Sequence, residues 1–445
     1  MPNTDYDVII IGGGSAGENA ADLAARGGLR VAVVERELVG GECSYWACMP
    51  SKALLRPGEA LASVRRVPGA AEAVTGKLDV EAALTRRDAL ASNWDDAGQV
   101  KWLEGVGVDL IRGHGRLAGE RIVEVAKSDG DRDTYEVGKA VVVAVGTGAA
   151  YPPVEGLGDI RTWDNRKVTT AKEAPRRLLV VGGGAVGAEM AQAWRWLGAE
   201  QVTIVELFDR LISQEEPFAG RLLREAFEAM GITVHTEAEL QRVERETDDA
   251  PVVATVELSD GSTATIETDE ILVATGRRPL TDDLGVETVG LEPGESISVD
   301  DHMVATGIPG GWLYAVGDVN GRALLTHAGK YQARIAGAHI AGQDAGAWGD
   351  RTAVPRVVFT DPQVAAVGLT EAQAREGGTD LRAVSYELEK VAGAATLGRR
   401  YRGTAKLVID APRRVIVGAT FVGPGVGELL HAATIAVAGE VTLDT

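Results

Sequence analysis

At 445 residues the chain is too long for one hydrophobic core and should divide into about two to four domains. A formal net charge of −20 argues against a nucleic-acid partner, because a phosphate backbone attracts Lys and Arg. No charged-then-apolar leader opens the sequence and no apolar run of about 18 residues interrupts it, so neither secretion nor a membrane partner is expected. Two cysteines are too few for a structural disulfide framework, which points to a reducing compartment and a cytoplasmic location.

The first predicted element is a buried parallel strand, Asp7-Val8-Ile9-Ile10-Ile11, read from its continuous apolar run. Gly12, Gly14 and Gly17 follow in G-x-G-x-x-G spacing, then a helical pattern from Glu18 to Ala24. A second strand, Val31 to Val34, ends in Glu35. Strand, glycine turn, helix and terminal acid together make a dinucleotide fingerprint. The turn lets backbone approach a pyrophosphate, the helix N-terminus faces it, and the acid accepts from a ribose hydroxyl.

Both cysteines come next, in Gly40-Gly41-Glu42-Cys43-Ser44-Tyr45-Trp46-Ala47-Cys48-Met49-Pro50-Ser51-Lys52. The stretch admits a redox disulfide, half of a metal site, or two inert core residues. A metal would need two further ligands, and the six histidines (His114, His235, His302, His327, His339 and His431) lack ligand spacing, so no metal is expected. Inert cysteines would leave the flanking glycines, proline and lysine without purpose.

Val141 to Gly148 reads as a buried strand closing the first unit, and Pro152-Pro153 marks a crossing. About 170 residues after the first, the fingerprint recurs. Strand Leu178–Val181 leads into Gly182, Gly184 and Gly187, a helix from Ala188 to Leu197, and strand Val202–Val205 ending in Glu206. Two fingerprints imply two dinucleotides, FAD and a nicotinamide, with electrons passing between them. Glu189 is expected in the first turn of the second helix, where the dipole alone favours an acid. Ile271 to Gly276 closes this unit, Pro279 marks a second crossing, and Trp312 to Asp318 is a third strand with an acid at its tip. From Arg356 the texture changes to short strands (356–359, 382–388, 405–409 and 415–417) and a helix from Gly427 to Ala438, which reads as an α+β platform for association.

Taken together, these motifs resemble the FAD-dependent pyridine nucleotide–disulfide oxidoreductases, the group of dihydrolipoamide dehydrogenase, glutathione reductase and mercuric reductase. The similarity rests on the first fingerprint, the G-G-x-C-x-x-x-x-C-x-P-S-K stretch, and the second fingerprint with Glu189. Thr275-Gly276-Arg277-Arg278-Pro279, Val316-Gly317-Asp318 and Phe359-Thr360-Asp361-Pro362-Gln363-Val364 complete it. The implied fold class is α/β, with two Rossmann-like dinucleotide-binding domains plus a C-terminal α+β dimerisation domain. The expected boundaries are 1–150 and 279–348 for FAD, 151–278 for NAD(P), and 349–445 for the interface of a homodimer.

Carried onto this sequence, the resemblance makes Cys43, Cys48, Lys52 and Glu189 the catalytic residues. Cys48 would lie nearest the flavin, Cys43 would exchange with substrate, and Lys52 would pair with Glu189. Gly12, Gly14, Gly17, Glu35, Gly115, Thr147, Asp318 and Thr326 are the expected FAD contacts; Gly182, Gly184, Gly187, Glu206 and Gly276 are the expected nicotinamide contacts. The physics of the cysteine stretch is compatible. Residues five apart on a regular helix rise about 7.5 Å, whereas disulfide Cα atoms lie about 4.4–6.8 Å apart, so bonding needs a helical break between them. Pro50 places Cys48 near a helix N-terminus, where a thiolate is stabilised.

Three features depart from the pattern or bear on choice. Tyr45 and Trp46 stand where relatives carry smaller residues, and either wall the substrate or pack the domain. The family's C-terminal His-x-x-x-x-Glu base does not appear before Thr445, so either the chain is shortened or it works without that base; His431 reads as a packing residue, as does His327. Glu206, with no Arg or Lys at 207–209, favours NADH over NADPH. The function expected is a relay from NAD(P)H through flavin and Cys43–Cys48 to a small-molecule or protein-bound disulfide. The alternatives are a quinone or small-acceptor reductase acting directly from the flavin, and a non-catalytic redox sensor. A mercuric reductase proper would carry a further C-terminal cysteine pair.

Overall fold

The computed structural model describes residues 5–378, 380–399 and 401–445. The chain forms two compact units. One takes the chain up to Met49 together with Ala91–Gly148 and Arg277–Arg351; the other takes Pro50–Leu90, Ala149–Gly276 and Thr352 onward.

The first unit is built on a parallel sheet. Tyr6–Ile11 lies between Val31–Glu35 and the long strand Arg132–Val143, with Val108–Arg112 outside Val31–Glu35. Leu313–Ala315 pairs in parallel with the end of Arg132–Val143, and two antiparallel strands, Ile122–Ala126 and His114–Leu117, continue from its beginning. Val31, Ala32, Val33 and Val34 are all buried, as a strand covered on both faces requires. The fingerprint helix is Ser15–Arg26, and its small residues Ala20, Ala21 and Ala24 are buried. They let Thr326–Ile340 pack close: a Cβ on Gly337 would lie 2.6 Å from Leu23 Cβ.

The second unit repeats the design with the order Ile232–His235, Gln201–Val205, Arg177–Val181, Glu270–Val273, all parallel. Its fingerprint helix is Ala185–Trp196, so Glu189 stands beyond the first turn and the dipole argument for it fails. The same unit carries a five-stranded antiparallel sheet, from Arg356–Val358 through Gln363–Gly368, Val415–Gly423 and Thr404–Asp410 to Leu381–Glu387. Gln363–Gly368 was not expected; its residues Val364 to Val367 are buried under Leu430, Ala433 and Val437 or against the rest of the unit. The expected helix from Gly427 begins at Leu430, after a 3-10 turn over Val426–Leu429. His431 is exposed on this helix rather than packed, because Leu430, Ala433 and Val437 take the inward face; His327 is exposed as well. A three-stranded antiparallel sheet, Glu239–Glu244, Val252–Glu257 and Thr263–Thr268, is a further element of this unit.

Candidate active site

In the first unit the turn after Tyr6–Ile11 closes so tightly that a Cβ on Gly17 would lie 2.0 Å from the Gly12 carbonyl oxygen. Gly12 has φ +106°, a conformation only glycine takes without strain. Glu35 is fastened to this turn, Oε2 accepting from the Gly13 N–H at 2.7 Å and Oε1 from the Glu37 N–H at 2.7 Å. No side chain caps the helix N-terminus at Gly14, which leaves its first amides free for an anion. A dinucleotide pyrophosphate fits that cradle.

The cysteine stretch docks on the same turn. The Gly40 N–H donates to the Gly13 carbonyl at 2.8 Å, and a Cβ on Gly41 would lie 2.8 Å from Gly14 Cα. The expected helical break is present. Gly41–Tyr45 is a short helix, Trp46 leaves it at φ −134°, and a new helix, Cys48–Arg66, starts at Cys48 itself. Neither cysteine is in a disulfide. Cys48 Sγ lies 3.2 Å from Thr326 Oγ1, at the start of Thr326–Ile340. Cys43 is lowered to about 6, first by the hydrogen bond from Cys48 and then, against its burial, by the hydroxyls of Thr326 and Ser15 and the charge of Lys330. Tyr45 is a core residue: its ring is fully buried, its hydroxyl donates to the Val39 carbonyl at 3.0 Å, and Trp46 meets it edge-on at 5.6 Å.

Asp318 and Thr147 come together 171 residues apart. The Thr147 hydroxyl donates to Asp318 Oδ2 at 2.9 Å and accepts from Arg277 Nε at 2.7 Å. Burial pushes the Asp318 carboxyl up despite that hydrogen bond and the nearby Arg277 charge. Gly115 is required by packing, since a Cβ there would lie 2.9 Å from Val34 Cγ1 and 3.1 Å from Ile11 Cγ2.

The second unit holds the Lys52–Glu189 pair. Glu189 Oε2 accepts from Lys52 Nζ at 2.7 Å, and Oε1 accepts from the Phe359 N–H at 2.9 Å. The Phe359 ring centroid lies 4.9 Å from Nζ, within cation–π range. One turn further along the helix, the fully buried Gln192 clamps Asp361, accepting from its N–H at 2.7 Å and donating to its carbonyl at 2.9 Å. Gly182, Gly183, Gly187 and Glu206 reproduce the first fingerprint: Glu206 accepts from the Gly183 N–H at 2.5 Å and the Phe208 N–H at 2.8 Å, and Gly184 caps without a side-chain bond. Gly276 has φ +153°, and a Cβ added there would come within 3.8 Å of Ala150 Cβ. Arg210 is drawn back, its guanidinium donating to Asp209 at 2.8 Å and to the Ser213 carbonyl at 2.8 Å.

Among the described residues, no group of three or more His, Cys, Asp or Glu could hold a metal ion, and no helix is long and apolar enough to cross a membrane. Residues the sequence did not single out surround the expected ones: Ser15 and Lys330 at Cys43, Phe359 and Gln192 at Glu189. Ser15 lies inside the fingerprint itself, and Lys330 stands four residues after Thr326, so helical spacing could have flagged both.

Residues 6–345 match the family described as pyridine nucleotide-disulphide oxidoreductase. The chain belongs to this family. Residues 354–445 match its dimerisation domain, which makes the assembly a homodimer. Dihydrolipoyl dehydrogenase of Thermus scotoductus is 35% identical over 436 residues, covering 97% of this chain and 90% of that protein. Mercuric reductase of Staphylococcus aureus is 31% identical over 443 residues, covering 99% and 78%. Among solved structures, LpdA (Rv3303c) of Mycobacterium tuberculosis superposes with a TM-score of 0.84 at 28% identity, covering 98% of this chain and 94% of that one. As a member of the family the chain is an oxidoreductase that uses FAD and NAD(P)H to relay electrons to a disulfide. Cys43 and Cys48, hydrogen-bonded to each other, are the pair it offers for that relay.

Proposed function

We propose that this oxidoreductase is an NADH-linked, cytoplasmic disulfide reductase resembling dihydrolipoamide dehydrogenase. In this reading residues 1–150 and 279–348 carry FAD, 151–278 carry the nicotinamide, and 349–445 form the dimer interface. FAD, when bound, supplies a two-electron relay between a dihydronicotinamide and the Cys43–Cys48 disulfide. The turn at Gly12–Gly17 would hold its pyrophosphate, Glu35 a ribose hydroxyl, and Asp318 and Thr147 its ribityl chain, with Cys48 and Thr326 the residues that would serve its ring. Lys52, paired with Glu189, would supply a cation for the redox step, and Glu206 would select the unphosphorylated ribose.

One observation carries the reading: the lowered Cys43 thiol, hydrogen-bonded to Cys48. A thiolate is the nucleophile of disulfide exchange, and a thiol lowered to about 6 is largely ionised at pH 7. The test is a screen of the purified holoprotein with NADH against lipoamide, small disulfides and quinones. Turnover of a disulfide that disappears in both Cys43→Ser and Cys48→Ser supports the reading. Turnover of quinones alone, unaffected by either substitution, overturns it.

A further inference from the structure

We propose that Glu18 holds the proton released by the Cys43 thiol and gives it to the sulfur that leaves. This deepens the disulfide-reductase reading and rests on it.

Glu18 stands in the first turn of the fingerprint helix Ser15–Arg26, its N–H bonded to the Gly14 carbonyl at 3.0 Å. A pyrophosphate cradle has no use for a carboxylate there, since a negative side chain works against an anion at the same helix end. Its placement answers to the cysteines instead. Gly14 bridges to Gly40, and Gly41 presses on Gly14, so the short helix bearing Cys43 is seated on the start of Glu18's helix. Ser15, three residues before Glu18 and on the same helix face, hydrogen-bonds to Cys43. From the other side comes Thr326–Ile340, whose Gly329 lies against Ala16; Thr326 meets Cys48, and Lys330 follows one turn later.

Within this cluster Glu18 Oε1 is buried without a hydrogen-bond partner. A buried carboxylate oxygen with no donor is expensive, and a protonated carboxyl relieves it. Accordingly burial, with smaller contributions from the Cys43 and Glu35 charges, pushes Glu18 up to about 7, and Lys330 alone opposes them. Glu18 and Cys43 are two acids of nearby affinity; a Cys43 thiolate disfavours ionisation of Glu18, and by reciprocity an ionised Glu18 disfavours the thiolate. A group that exchanges protons near the working pH is what general acid–base catalysis requires.

The balance is that of disulfide exchange. The Cys43 thiolate, its proton already held by Glu18, attacks one sulfur of the substrate disulfide. The substrate S–S bond breaks, a Cys43–substrate bond forms, and Glu18 gives the proton to the departing sulfur. Cys48 then attacks Cys43, the mixed disulfide breaks, and the second departing sulfur takes the Cys48 proton. The cysteine pair is oxidised by two electrons and the substrate disulfide is reduced to two thiols.

The experiment measures the rate of Cys43 alkylation by iodoacetamide in the reduced holoprotein from pH 5 to 9, followed by mass spectrometry. The wild type should depart from a single-site curve, with a second inflection at about 7. Glu18→Gln should remove that inflection and move Cys43 ionisation to lower pH, because the opposing charge is gone. Lys330→Met, which keeps Glu18, should move the inflection upward, so the proposal remains testable if Glu18→Gln does not fold. Disulfide turnover by Glu18→Gln should fall on the order of 100-fold at neutral pH. Alkylation profiles that coincide for wild type and Glu18→Gln, or that are unmoved by Lys330→Met, overturn the proposal. Alkylation needs no substrate, so a wild type that reduces no disulfide refutes the functional reading separately.

Discussion

Glu189 divides its carboxylate between two partners, Lys52 Nζ at 2.7 Å and the Phe359 N–H at 2.9 Å. Its side chain is 6% exposed, whereas that of Lys52 is 39% exposed. The carboxylate is therefore the fixed member and the ammonium the adjustable one. Lys52→Met leaves a nearly buried carboxylate on one hydrogen bond, and should cost about 1 kcal/mol, the low figure reflecting the exposure of the lysine. Both Lys52→Met and Glu189→Gln should slow reduction of the bound flavin by NADH at least about tenfold, as expected for loss of a positioned charge. Stopped-flow traces within twofold of wild type, at equal FAD content, would reduce the pair to a structural contact.

Cys48→Ser should abolish disulfide turnover while FAD stays bound. The cofactor would be held by the Gly12–Gly17 turn, Glu35, Thr147 and Asp318, none of which relies on the Cys48 sulfur. Without that sulfur no ring-closing attack on a mixed disulfide can occur. The readouts are FAD stoichiometry, long-wavelength absorbance on reduction, and lipoamide turnover. Retained turnover would refute the relay.

NADH should have a specificity constant at least about tenfold above that of NADPH. A 2′-phosphate would meet the Glu206 carboxylate, and the guanidinium of Arg210, four residues on, is engaged by Asp209 and the Ser213 carbonyl. Glu206→Ala should narrow the preference and also loosen the turn, since the Gly183 and Phe208 amides lose their acceptor. Titration with NAD and NADP, followed by fluorescence, checks the binding part. A specificity constant higher for NADPH would reverse the assignment.

Stability should depend on pH through Glu18. Its carboxyl is raised from 4.5 to about 7, so the fold favours the protonated form. That contribution is fully present below about 4.5 and is lost as pH rises through about 7. Glu18→Gln should therefore melt higher than wild type at pH 8, by a difference on the order of 2 kcal/mol, and close to wild type at pH 4.5. Calorimetric scans at the two pH values decide it; equal melting temperatures at pH 8 would show that Glu18 titrates as an ordinary exposed acid.

The two fingerprints were legible in the sequence because every requirement they impose is local. A strand with both faces covered must be apolar throughout, a turn pressed onto its own helix must be glycine, and the acid must end the next strand. Gly12, Gly17, Gly182 and Gly187 satisfy those conditions within a few residues. The break between Cys43 and Cys48 was readable for the same reason, since helix rise and disulfide reach conflict over five residues. The match of Lys52 to Glu189 came from family resemblance rather than spacing, and its reason in this chain is tertiary: Phe359, 170 residues from Glu189, supplies the second donor. Folding alone decided that Tyr45 is core, that His431 is exposed, and that Arg87 is fully buried with its guanidinium on the Thr169 and Ala171 carbonyls. It also decided that a glutamate in the first fingerprint helix lies within electrostatic reach of a cysteine and a lysine from two other helices. Burial and charge are sums over neighbours distant in sequence, so periodicity along one element determines which face turns inward, and only packing determines what that face meets.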